Sequence, residues 1–199
     1  MQKEDNLMVA EVITPQKQEK SEKLITGQEL LEMGDIGPSA LIEGRVIRMS
    51  PTKIEHGIIE SLLTHFLQQH VLTHKLGVVM NGETGIYVCR NPDTIRAADV
   101  LYISTERLAQ ATPDDFLDVA PELVVEIMSP YDRWSEIRRK LRDYFDAGVR
   151  VVLVVEPDTK SVAAFRSTTD SVEFEGDDIL TVEDVLPDFK LSLADIFVT

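Results

Sequence analysis

The stretch Pro121–Gly148, PELVVEIMSPYDRWSEIRRKLRDYFDAG, constrains the fold more than any other part of this chain. Glu122–Met128 is an apolar run of the kind found in strands buried on both faces. Ser129-Pro130 breaks it. Trp134–Ala147 then has helical periodicity, with Trp134, Ile137, Leu141, Tyr144 and Phe145 on one face and Gly148 as C-cap. Val149–Val155 is a second fully apolar strand. A strand–helix–strand unit of this kind demands a layered sheet. The anomaly is Glu126, a carboxylate in the middle of a buried strand. Such a group is costly unless paired, hydrogen-bonded or bound to a cation.

The remaining elements extend that sheet. Thr26-Gly-Gln-Glu29 is a capping box that opens a short helix with Leu30, Leu31 and Met33 inward, ending near Gly34. Ala40–Glu43 and Arg45–Met49 flank Gly44 as a hairpin. His56–His74 is a helix that carries Ile58, Ile59, Leu62, Leu63, Phe66, Leu67 and Leu72, with Gly77 as its C-cap. Val78–Met80 and Gly85–Cys89 read as two strands around Gly82. Ala97–Ser104 is a strand with Asp99 embedded in it, and a loop with a helical turn follows. Ser161–Arg166 completes a hairpin with the preceding strand. The acidic C-terminal part reads as a short strand pair around Gly176, a helix start at Thr181 and a short terminal helix packed by Leu193, Ile196 and Phe197. These elements predict a central mixed sheet flanked by helices, in an α/β or α+β layer arrangement.

At 199 residues and 43% hydrophobic content, the chain can bury one good core. The expected organisation is a flexible tail over residues 1–23 and one domain over 24–199. A single cysteine, Cys89, rules out an internal disulfide, and the residue reads as a buried or inert thiol. With no long apolar run and no signal-peptide core, the expected setting is the cytoplasm, away from membranes.

A formal charge of −15 argues against a bulk nucleic-acid-binding surface. The charge is uneven, however. Arg133–Arg150 holds six basic residues against three acidic ones, and Glu156–Thr199 holds three against eleven.

Side chains alternate along a strand, so Glu126 shares a face with Val124 and Met128. If the strands of Asp99 and Glu126 are neighbours, the two carboxylates can converge. Two readings follow. In one, a Mg²⁺ (or Mn²⁺) ion takes both carboxylates and the backbone carbonyl of Ile127, with Lys140 orienting water from the following helix. Glu60, one turn after His56, is a further candidate ligand. In the other, Asp99 pairs with Arg96, and Glu126 pairs with Arg133 or Arg138, with no ligand. The four histidines, 56, 65, 70 and 74, lack the companion ligands of a zinc site. No GxGxxG, GxxxxGK[ST] or GxSxG occurs.

The segments Arg96-Ala-Ala-Asp99-Val-Leu-Tyr-Ile-Ser, Pro121-Glu-Leu-Val-Val-Glu126-Ile-Met-Ser-Pro130, Lys140-Leu-Arg-Asp-Tyr144-Phe-Asp-Ala-Gly148 and Val154-Val-Glu-Pro157 resemble the Uma-type restriction endonuclease family of the PD-(D/E)XK nuclease superfamily. Leu41–Pro51, His56 and Leu186-Pro-Asp-Phe extend the resemblance over roughly residues 25–197. It implies the restriction-endonuclease-like fold. It also implies a metal-dependent DNA endonuclease with Asp99 and Glu126 as acidic residues and Lys140 in the lysine role. Ala98 stands where a proline is usual, and Met128 where the superfamily motif has its lysine. Arg133, Arg138 and Arg139 would meet DNA, and a homodimer would reach both strands. The alternative is a catalytically inactive protein that keeps the nuclease fold as a binding or assembly module.

Overall fold

The computed structural model describes residues 23–130 and 132–198. The tail expected over residues 1–23 therefore lies, Lys23 apart, outside the described residues. The order of elements is α1 (Gly27–Glu32), β1 (Ser39–Ile42), β2 (Arg45–Arg48), α2 (Ile54–His74), β3 (Gly77–Cys89), β4 (Thr94–Ser104), α3 (Thr105–Leu108), β5 (Leu123–Ile127), α4 (Trp134–Ala147), β6 (Val151–Glu156), β7 (Ser161–Phe165), β8 (Ser171–Glu175), β9 (Ile179–Leu180) and β10 (Leu191–Ser192), with a closing 3₁₀ turn at Leu193–Asp195.

The central mixed sheet has eight strands. Its path runs β2-β1-β4-β5-β6-β7-β8, and β3 pairs along β4. The strand–helix–strand unit forms as its sequence dictates: β5 and β6 are parallel, connected through α4, while the other pairs in this sheet are antiparallel. This single parallel pair gives the mixed sheet that the two apolar runs predict.

Two apolar layers sandwich the sheet. On one face Ile59, Leu63, Leu67 and Val71 of α2 pack with Leu123, Val125 and Ile127 of β5 and with Leu186, Phe189 and Ile196 from the C-terminal segment. On the other, Ile137, Leu141 and Tyr144 of α4 pack with Val124, Val152 and Val154. The alternation along β5 thus puts Glu126 on the α4 side. Among the described residues no helix is long and apolar enough to cross a membrane.

Several local expectations are corrected. The α1 capping box forms, but only Leu30 of the three apolar residues is buried, because a helix of six residues has one inward face; Met33 is 53% exposed. Leu72 is 61% exposed, since the buried stripe of α2 runs at a spacing of four and ends on Val71. Trp134, 38% exposed, sits at the first position of α4, where the end of the helix leaves its indole only partly covered. The two strands expected around Gly82 are one long β3 with a bulge. No helix starts at Thr181, where residues 183–185 form turns, and the strands on either side of Gly176 pair elsewhere, β8 with β7 and β9 with β10. Cys89 is exposed, not buried.

The left-handed cap of α2 is Lys75, at φ 56°, and not Gly77. Gly77 serves another purpose. A Cβ at this position would lie 2.1 Å from the Ile103 carbonyl oxygen and 2.8 Å from Ser104 Cα. Both are backbone atoms of the neighbouring strand and have little room to shift. Gly77→Ala is expected to cost about 2–3 kcal/mol in urea unfolding, by overpacking. A loss below about 0.5 kcal/mol would show that the strand start yields freely.

Candidate active site

The site forms where β4 and β5 run side by side. Val100 pairs with Val125 and Leu101 with Val124. Continuing this antiparallel register sets Asp99 opposite Glu126, the cross-strand arrangement that brings two side chains closest on one face. Both are buried.

Each Glu126 oxygen has its own donor from α4. Lys140 Nζ donates to Oε2 at 2.5 Å, and the Tyr144 hydroxyl donates to Oε1 at 2.5 Å. Lys140 and Tyr144 lie one turn apart, so one helix face grips one carboxylate. Burial pushes the Glu126 carboxyl above its ordinary value and outweighs the pull of Lys140; Asp99 adds to the rise. Burial lowers the Lys140 ammonium, but Glu126 more than reverses this and holds it above its ordinary value. Tyr144 is pushed well up, first by burial and then by Glu126.

Asp99 is fixed by the backbone and by α2. Its Oδ2 accepts from the Ile127 N–H at 2.7 Å, and its Oδ1 lies 3.3 Å from His56 Nε2. That second contact lacks hydrogen-bond alignment, so both ring nitrogens of His56 are buried with no hydrogen-bond partner. Burial lowers the His56 imidazole, yet Asp99 and Glu60 leave it raised overall. Glu60 sits 4.0 Å from His56 Nε2 and accepts from the Gly82 N–H at 3.2 Å, tying α2 to β3.

The β3 bulge supplies a residue that the sequence pattern hides. Asn81 pairs with Val100 and Thr84 with Ala98, so Gly82 and Glu83 together oppose Asp99. Gly82 and Glu83 both adopt left-handed conformations, at φ 75° and 67°. The Glu83 carboxyl is pushed up to about 7, by burial first, then by Asp99 and Glu126. Glu83 falls inside what reads as a loop between two short strands, and no sequence signal distinguishes it. His56 has a weak signal, three residues before Ile59 on the apolar stripe of α2.

The ligand-free pairings expected for the two acids are not the ones formed. Arg96 pairs with Asp143 on α4 rather than with Asp99. Glu126 is held by Lys140 and Tyr144, not by Arg133 or Arg138. The structure brings together Asp99, Glu126, Lys140 and the Ile127 peptide, with Glu60 adjacent through His56. Arg138 and Arg139 on α4 and Arg133 at its N-cap stay exposed. Met128 packs against the apolar cluster on the α4 side. The positive charge beside Glu126 is that of Lys140.

Among the described residues no three His, Cys, Asp or Glu side chains are grouped to hold a metal ion. A zinc-type site of three or four protein ligands is therefore not what these residues offer. An opposed carboxylate pair suits Mg²⁺ or Mn²⁺, which take one or two carboxylates and keep several waters. The donors fit such an ion: Asp99 and Glu126 are opposed and buried, and both are hard oxygen donors.

No curated protein matches the sequence. Among solved structures, the fold is similar to a crystal structure described as a putative nuclease belonging to DUF820 from Anabaena variabilis ATCC 29413, at 20% identity and a TM-score of 0.73, over 87% of this chain and 98% of that one. Residues 28–194 match Uma2, described as putative restriction endonuclease, and that match takes in α2, α4 and every strand of the central sheet, so the chain belongs to the Uma2 family.

Proposed function

We propose that this protein is a Mg²⁺- or Mn²⁺-dependent endonuclease that hydrolyses DNA phosphodiester bonds. The observation that carries this reading is the register that sets Asp99 opposite Glu126, with Lys140 from α4 on the same carboxylate. Asp99, Glu126 and the Ile127 carbonyl would hold the ion, and Glu60 stands as an additional donor. When bound there, the ion supplies Lewis-acid polarisation of a phosphoryl oxygen and a more acidic water.

The chain's own residues do the rest. The Ile127 N–H holds Asp99 by one oxygen and fixes the orientation of its carboxylate. Tyr144 does the same for Glu126. Lys140 keeps a positive charge where a phosphodiester becomes more negative in its transition state. The exposed guanidiniums of Arg133, Arg138 and Arg139 offer contacts to backbone phosphates on an otherwise acidic molecule.

Purified protein with Mg²⁺ or Mn²⁺ is expected to nick supercoiled plasmid DNA, and Glu126→Ala to abolish nicking. Equal nicking by that variant would assign the activity to a contaminant. Metal binding without nicking by the native chain would leave the binding-module alternative, which Met128 and the −15 charge favour.

A further inference from the structure

The strand registers set Glu126 on one side of Asp99 and the Gly82–Glu83 bulge on the other, and Asp99, Glu126 and Glu60 all push the Glu83 carboxyl up. One lysine, Lys140, stands among them. Asp99 and Glu126 are committed to named donors. Glu60 is tied to Gly82 and faces His56. Glu83 has no such assignment in the proposed reaction, yet the fold goes out of its way to place it. The bulge puts two residues opposite Asp99, both at positive φ, and side chains other than glycine's adopt that conformation at a cost. Bulges of this kind re-aim a side chain, and here the side chain is a half-buried carboxylate opposite Asp99.

A second observation points to a ligand at the same place. His56 is nine-tenths buried, its Nε2 is aimed at Asp99 Oδ1, and neither ring nitrogen has a hydrogen-bond partner. A buried polar group left unsatisfied costs roughly 1–3 kcal/mol. Hydrated cations bring waters that can donate to carboxylates and accept from an imidazole N–H.

We infer that Glu83 is the outer carboxylate of the cation site, accepting hydrogen bonds from the water shell of a divalent ion held by Asp99 and Glu126. This inference rests on the metal-dependent reading above. In this arrangement Glu83 acts on the ion through water and need not touch it. Partners of this kind typically carry a 10–100-fold share of metal affinity.

The test is Mn²⁺ binding by the full chain at pH 8, followed by electron paramagnetic resonance of the free ion, with melting curves recorded with and without Mg²⁺. Glu83→Gln keeps the shape and removes the charge. It is expected to weaken Mn²⁺ binding about 10-fold or more. It should also raise the metal-free melting midpoint, by removing like-charge repulsion, while shrinking the rise that Mg²⁺ produces. Opposite changes in those two numbers would not come from a merely structural role. Glu136→Gln, which removes an exposed charge from α4, should leave affinity within twofold. Native affinity in Glu83→Gln overturns the inference. So does an equal loss in Glu136→Gln, which would reduce the effect to net charge. Asp99→Asn separates the two levels. If it abolishes binding while Glu83→Gln does not, only the inference on Glu83 falls. If the native chain binds no Mn²⁺, the metal-dependent reading falls and the inference with it.

Discussion

Lys140→Met is expected to destabilise the fold by about 3 kcal/mol at pH 7, measured by urea unfolding. Removing one member of a buried ion pair leaves the other uncompensated, which costs roughly 3–5 kcal/mol when both are fully buried. Lys140 is 30% exposed on its side chain against 4% for Glu126, so the lower end applies. The loss should depend on pH in a defined direction. Glu126 has a folded pKa above its ordinary value of 4.5. Its contribution to stability is therefore fully present below about 4.5 and declines as pH rises through the folded value. Taking away Lys140 removes a charge that holds the folded value down, so that decline extends further upward. The gap between variant and native protein should thus widen as pH rises above 4.5 and narrow toward pH 4. A gap independent of pH would mean that the methionine costs packing alone.

Asp99→Asn is expected to separate chemistry from folding. The amide oxygen of asparagine can still accept the Ile127 N–H, so the backbone tie survives. The lost charge relieves Glu126 and Glu83, both of which Asp99 pushes up. Against this, His56 loses the carboxylate that raises it, so the melting midpoint should change little. Metal-dependent nicking should fall at least about 100-fold, equivalent to about 2.7 kcal/mol of barrier. Asp99→Leu, by contrast, strands the Ile127 N–H and should cost a further 1–3 kcal/mol of stability. Undiminished nicking by Asp99→Asn would remove Asp99 from the chemistry, whatever its part in the fold.

The difference between these two residues follows what was legible in the chain. Glu126, Lys140 and Tyr144 lie in one strand and the helix after it. A period of two places the first and a period of 3.6 places the others, so their approach can be read locally. Asp99 needs one further fact, that β4 and β5 are neighbours, and with it the register follows. Its partners are less readable: Arg96 goes to Asp143 because α4 crosses the sheet where it does, and no local pattern says so. Leu31, Leu72 and Trp134 are apolar by type but sit near helix ends or beside the buried stripe. Periodicity alone overstates their burial. Glu83 was not legible at all. A bulge is defined by a partner strand, and a single glycine between two short apolar runs reads equally well as a turn.

A lysine two residues after Glu126 would have inherited its position from the backbone at the end of β5. Here the charge sits at the tip of a side chain on α4, so its distance from Glu126 depends on how the whole helix is seated. The Arg96–Asp143 pair, one turn from Lys140 and three residues before Asp99, fastens that helix to the strand carrying the other acid. Alignment of the site is thus a property of docking between two bodies, and a substitution at position 96 or 143 changes it without touching any group that would meet a phosphate.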